Sequence, residues 1–205
     1  MLNKTLTEFT AASASKDPVP GGGGVSALVG ALAASLAEMV TNLTTGKKRY
    51  AEYEDEIREI MAAADELRQD LLGCINEDAE AFEPLSKAYS MDKNSEGYAE
   101  RMEECLRRAA EPPMKILKSC TKVIRMDERL AVIGSKIAVS DAATSAMLAH
   151  GALYGAFINT KVNTRLMKDR AYADELDRVA QALLDEYSAR ALDCFNEIKE
   201  RLSNG

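Results

Sequence analysis

The sequence is short of the residues from which metal, disulfide and redox sites are made. Among 205 residues there is one histidine, His150, and there are four cysteines, Cys74, Cys105, Cys120 and Cys194. No two cysteines form a CxxC pair. A zinc site needs clustered Cys or His ligands, so no metal site is expected. The cysteines read as reduced, mostly buried small residues of a cytoplasmic protein. Tryptophan is absent and aromatics make up 5% of the chain. Sustained alternation of β-branched residues is missing as well, which removes the signature of strands. So is a basic excess: the net charge is -7. Duplex binding rests on neutralising phosphates, so this balance argues against nucleic acid as the main partner. "GKKRY", Gly46 to Tyr50, is a local basic exception. The N-terminus "MLNKTLTEFT" has neither the basic nor the apolar region of a signal peptide. The long uncharged run from Pro18 to Ala37 begins with glycines. Its helical part is expected to fall short of the roughly 20 apolar residues of a membrane span and to form a buried core helix, with no membrane partner.

What is present favours helix. The chain is 46% hydrophobic and 29% charged, and Ala, Leu, Glu, Lys and Arg dominate. The periodicity is helical throughout. A short helix carries Leu2, Leu6 and Phe9. A second runs from the glycines to about Thr45, with Gly46 as its stop. A third runs from about Ala51 to Tyr89, with Ile57, Ile60, Leu67, Leu71, Ile75 and Phe82 inside and Pro84 as a kink. A fourth runs from about Glu96 to Arg125, and "EPP", Glu111 to Pro113, must bend or break it. "MDERLAVIGSK" reads as a connection. The fifth spans about Val139 to Leu166 and the sixth about Tyr172 to Leu202. The expectation is an all-α, single-domain bundle of about six long, partly kinked helices over residues 1–205. The second and fifth helices are apolar nearly all round. A helix of that kind must be buried on every side, so a two-fold homodimer is expected.

The stretch "SKDPVPGGGGVSAL", Ser15 to Leu28, fits no nucleotide loop. No Gly-Lys-Ser/Thr closes it and no strand precedes it. Gly21, Gly22, Gly23 and Gly24 either make a tight turn between packed helices or expose the backbone N–H groups of a positive helix end to a ligand. Ser35, Glu38, Asn42 and Thr45 share one face of the second helix. That stripe either lines a cleft or is a polar seam, with Glu38 in a salt bridge. In "INEDAEAF", Ile75 to Phe82, Glu77 and Glu80 read as a solvated face, while Asp78 lies near the inner stripe. Ser140 or Asp141 is either an N-cap of the fifth helix or, for Asp141, a general acid/base. Asn159 and Asn163 share a face with Asp141, but Asp141 and Asn159 stand about 27 Å apart along the axis. They contact opposite ends of a long ligand or serve different copies of a site. His150, between them, reads as a satisfied core residue.

Taken together, "SKDPVPGGGGVSALVGALAASLAEMVTNLTTGKKRY", "INEDAEAF", "AAEPP", "SDAATSAMLAHGAL" and "NTKVN" resemble the formiminotransferase–cyclodeaminase C-terminal domain family. They occur in the family's order and span nearly the whole chain. One departure is Gly134-Ser135, where the family pattern has Gly-Asn. The resemblance implies an all-helical dimer and a tetrahydrofolate one-carbon substrate, polyglutamylated or not. It implies a formimidoyltetrahydrofolate cyclodeaminase, with methenyltetrahydrofolate cyclohydrolase as the alternative activity and a non-catalytic assembly module as the alternative of another class. A higher oligomer and a separate formiminotransferase partner stay open. No cofactor beyond the tetrahydrofolate carrier is implied. Asp141 is the expected acid/base, with Asp78 and Glu38 behind it. The Gly21–Gly24 backbone, Asn42, Asn159 and Asn163 would hold the pterin and its linker. Lys47, Lys48 and Lys161 would attract the glutamate tail. The glycines would then be required because a flat pterin and a neighbouring helix leave no room for a Cβ.

Overall fold

A computed structural model describes residues 1–204; Gly205, the last residue of the expected domain, lies outside the described residues. Six α-helices follow one another: α1 (Leu6–Ser13), α2 (Gly22–Asn42), α3 (Glu54–Tyr89), α4 (Tyr98–Ile133), α5 (Val139–Thr164) and α6 (Arg170–Ser203). No strand occurs among the described residues. The start signals are local. Thr5 and Glu8 form a capping box at α1. Asp169 caps α6 by accepting from the Tyr172 N–H at 3.1 Å. Glu54, Asp55 and Glu56 place negative charge in the first turn of α3. Glu54 also accepts from the Thr45 hydroxyl and the Gly46 N–H, tying the turn after α2 to α3. Gly46 and Gly97 take left-handed φ values of 72° and 76°, where a Cβ would be strained.

α2 is central. It packs on α3 and α5 with α4 behind it, and α6 covers α5 and α4. Small residues allow this closeness: Leu71 of α3 and Cys120 of α4 lie 3.2 and 3.3 Å from where a Cβ at Gly30 would stand. The Ser26 side chain fills the space a Cβ at Gly155 would take, so this side chain of α2 packs directly on the backbone of α5. Ser145 of α5 reaches the Ala33 carbonyl of α2 at 2.8 Å, so the two helices run antiparallel. The same hydroxyl lies 2.8 Å from Asp127 of α4, a fully buried carboxyl. A serine has one proton to give and a carbonyl can only accept. Both contacts are satisfied together when Asp127 is protonated and donates to Ser145. Burial pushes the Asp127 pKa well above the ordinary carboxylate value, in the same direction.

Three expectations are corrected. "MDERLAV" is not a connection but the last two turns of α4, with Asp127, Leu130 and Ala131 buried; only "GSK" connects, with the Ser135 N–H bonded to the Thr44 hydroxyl at 2.8 Å. Of the two outcomes expected of the double proline, a bend or a break, the break does not occur: α4 runs through Pro112 and Pro113. Finally, α2 has 21 residues and is long and apolar enough to cross a membrane by length and composition, so the length argument against a span fails. Packing sets its place instead: eleven of its residues, mostly Gly and Ala, are buried within the bundle.

Candidate functional site

The glycine stretch forms the N-terminus of α2. Gly21 occupies the cap position and offers no side chain, so the first N–H groups of the helix lack a cap of their own. The positive end of the helix dipole is therefore left open to other groups. Two side chains occupy the space that Cβ atoms would need. The Asp78 carboxyl of α3 sits where a Cβ at Gly23 would go, and the Asn159 amide of α5 lies 2.9 Å from a Cβ built at Gly22. Gly22 and Gly23 thus leave room for the protein's own side chains, with no ligand present.

Asp78 is half-buried. Burial raises its pKa above the usual carboxylate value, and the Gly24 N–H facing it opposes the rise in part. Asn159 donates to the Gly155 carbonyl at 2.7 Å, and Asn163 donates to the carbonyls of Ala109 and Asn159, both at 3.0 Å. Gly21, Gly22, Gly23, Asp78, Asn159 and Asn163 line one cleft of about 120 Å³, walled by Pro18, Val19, Phe82, Pro113 and Val162. It offers a carboxyl that holds its proton more tightly than usual, a positive helix end and two side-chain amides.

The other expected residues stand elsewhere. Glu38 pairs with Arg68 at 2.9 Å, and Arg68 also holds Asp65. Asn42 is exposed and donates to the Glu38 carbonyl at 3.1 Å. Ser35 bonds back to Ala31 and Thr45 bonds Glu54, so the polar stripe of α2 is satisfied locally. Lys47 and Lys48 are exposed, just before α3. Lys161 is not a free cation: it pairs with Asp177 of α6 at 2.7 Å. Asp141 is half-buried in the first turn of α5, where the cap position belongs to Ala138 and no side chain caps. Because α5 is continuous, the distance of about 27 Å between Asp141 and Asn159 stands. Within one copy of the chain, the far group of Glu38, Asn42, Lys47, Lys48 and Asp141 does not meet the glycine end.

His150 bonds Ser188 of α6 at 2.9 Å, and burial lowers its pKa. All four cysteines are free and buried. Burial pushes the thiols of Cys74, Cys120 and Cys194 up to about 12, so none is a ready nucleophile. Glu77 is exposed and pairs with Lys115 at 2.8 Å. Sequence reasoning missed the coupling of Asn163 to α4. Its signal was a proline deep in a helix, which leaves a carbonyl four residues earlier in need of a donor.

The sequence model of Formiminotransferase-cyclodeaminase matches residues 5–182. The chain is 34% identical over 205 residues to a methenyltetrahydrofolate cyclohydrolase of Methylorubrum extorquens, covering 98% of this chain and 99% of that one. It is 25% identical to the formimidoyltransferase-cyclodeaminase of Mus musculus, of which it spans 38%. The crystal structure of formiminotetrahydrofolate cyclodeaminase from Thermotoga maritima superposes with a TM-score of 0.83 at 33% identity, covering 98% of this chain and 97% of that one. A match over most of the chain, an end-to-end relative and a shared fold agree, and the chain belongs to the formiminotransferase–cyclodeaminase family of folate one-carbon enzymes.

Proposed function

We propose that the chain hydrolyses 5,10-methenyltetrahydrofolate to 10-formyltetrahydrofolate in the cleft at the start of α2, with Asp78 as acid/base. The observation that carries this is one carboxyl with raised proton affinity, set against the Gly24 N–H in a cleft that two side-chain amides also line. The end-to-end likeness to the Methylorubrum cyclohydrolase favours this activity. Water attacks the carbon bridged between N5 and N10, and the Asp78 carboxylate accepts a proton from it. The tetrahedral carbon then collapses: its hydroxyl proton leaves to solvent, the carbonyl forms, and the bond to N5 breaks as Asp78 returns its proton to that nitrogen. The reaction involves no change of oxidation state and needs no cofactor beyond the folate carrier, and the four free cysteines support a cytoplasmic location.

The Thermotoga structure favours a second reading, cyclodeamination. There N10 of 5-formimidoyltetrahydrofolate attacks the formimidoyl carbon, Asp78 takes the N10 proton and gives it to the leaving nitrogen, and ammonia departs. A separate formiminotransferase would supply that substrate. Loss of methenyl absorbance against release of ammonia separates the two readings. Activity in neither assay would overturn both and leave a non-catalytic assembly module.

The far group enters through a second copy. Val25, Leu32 and Met39 lie seven residues apart on the exposed side of α2, and Tyr154 and Ile158 of α5 are exposed as well. A two-fold axis at Leu32 would set Val25 of each copy beside Met39 of the other. It would bring Asp141, Lys47 and Lys48 of one copy toward the glycine end of its partner, with the lysines near the glutamate tail. In a homodimer of this kind, mixing inactive Asp78→Asn and Asp141→Asn proteins restores activity, because half the sites of each mixed dimer are intact. Continued inactivity of the mixture, once exchange is shown, would rule out the shared site.

A further inference from the structure

A proline inside an α-helix withholds the N–H that the carbonyl four residues earlier would accept. Pro113 sits deep in α4, so the Ala109 carbonyl loses its helical partner at a buried position. An unpaired buried carbonyl is unfavourable. The missing donor comes from α5: Asn163 gives one amide hydrogen to Ala109 at 3.0 Å and the other to the Asn159 carbonyl at 3.0 Å. Both partners are carbonyls that can only accept, so the Asn163 nitrogen must face them and the amide cannot flip. Its Oδ1 therefore faces the other way. Among the described residues no protein donor reaches that oxygen, and it is not among the sealed unpartnered atoms, which are Asp127 Oδ1 and the Tyr187 hydroxyl. Asn163 lines the cleft that holds Asp78 and Gly22. The cleft thus contains an acceptor fixed by α4 and by the preceding turn of its own helix, and lacking a donor.

We infer that Asn163 is a specificity-determining residue whose Oδ1 accepts an N–H of the ligand's heterocycle in the Asp78 cleft, and that the proline in α4 is what locks it as an acceptor. This rests on the folate reading, because the amino-substituted edge of a reduced pterin carries the N–H donors such an oxygen requires. A heterocycle presenting only acceptors at that edge would be rejected, since two acceptors would face each other.

A purely structural role would also make Asn163→Leu harmful, by leaving the Ala109 carbonyl unpaired. Pro113→Ala separates the two roles, because it returns a backbone N–H to Ala109. The probe is 5-formyltetrahydrofolate, a stable reduced folate, with affinity read by titration calorimetry and stability by Tm. Asn163→Leu alone should lower both Tm and affinity. In the Pro113→Ala background the same substitution should cost little in Tm but still weaken binding by about fivefold to tenfold, the value of one hydrogen bond. Equal affinity with and without Asn163→Leu in that background would overturn the role and leave Asn163 a prop for α4. Failure of the unmodified protein to bind the probe would instead overturn the folate reading itself, and this role with it.

Discussion

The two ends of the α2–α5 pair carry similar residue types and put them to different uses. At the far end Glu38 is bound to Arg68, Asn42 to a backbone carbonyl, and Lys47 and Lys48 face solvent. At the glycine end Asp78 is half-buried against the Gly24 N–H, and Asn163 is held with an acceptor free. A third carboxyl sharpens the contrast. Asp127 has its pKa raised by burial just as Asp78 does, yet it is sealed in the core and engaged with Ser145. Raised proton affinity alone does not mark a site; it does so where the group also opens to a cleft beside unpartnered atoms.

The largest effect tests the glycine end directly. Asp78→Asn should lower kcat by about 10²- to 10⁴-fold and leave Tm unchanged or higher, since it removes a carboxyl that is costly to bury. A smaller loss, on the order of 100-fold in turnover, is expected for Gly23→Ala, whose Cβ would displace Asp78 from its position. Gly73→Ala in α3 is its control: a Cβ there meets only Glu77 at 3.8 Å. It should raise stability by up to about 1 kcal/mol without changing turnover. Asp127 should behave as a structural residue. Asp127→Ala is expected to cost about 1–3 kcal/mol in denaturant unfolding, and Asp127→Asn, a neutral near-isostere that still donates to Ser145, clearly less. Equal losses for the two would contradict a protonated Asp127.

Much of the fold was legible because helical periodicity and the caps are local. The end of α4 was not: "MDERLAV" carries three charges in seven residues, and only the Ser145 contact makes the burial of Asp127 understandable. The continuity of α4 through its prolines was hidden for a similar reason, since the donor that replaces the lost N–H comes from residue 163. At the site, the glycines, Asp78, Asn159 and Asn163 could be selected by type and spacing. Their grouping could not, because it depends on how α3 and α5 cross the start of α2. The order of the carboxylates followed from that: Asp141 looked stronger in sequence, while the contact with Gly23 and Gly24 belongs to Asp78.

The pH dependence of kcat/KM, measured for the unmodified protein and for Asp78→Asn, tests the account most directly. Catalysis begins with the carboxylate accepting a proton, so kcat/KM should rise with pH through the raised pKa of Asp78. Stability should move the other way. The folded state binds the Asp78 proton more tightly than the unfolded chain, so this contribution is full below the unfolded value of about 3.9 and is lost as pH rises through the folded pKa. The account predicts a rising limb in the unmodified protein, with turnover at least about 100-fold lower and no limb in Asp78→Asn. An Asp78→Asn protein that turns over normally and keeps the same limb would contradict it.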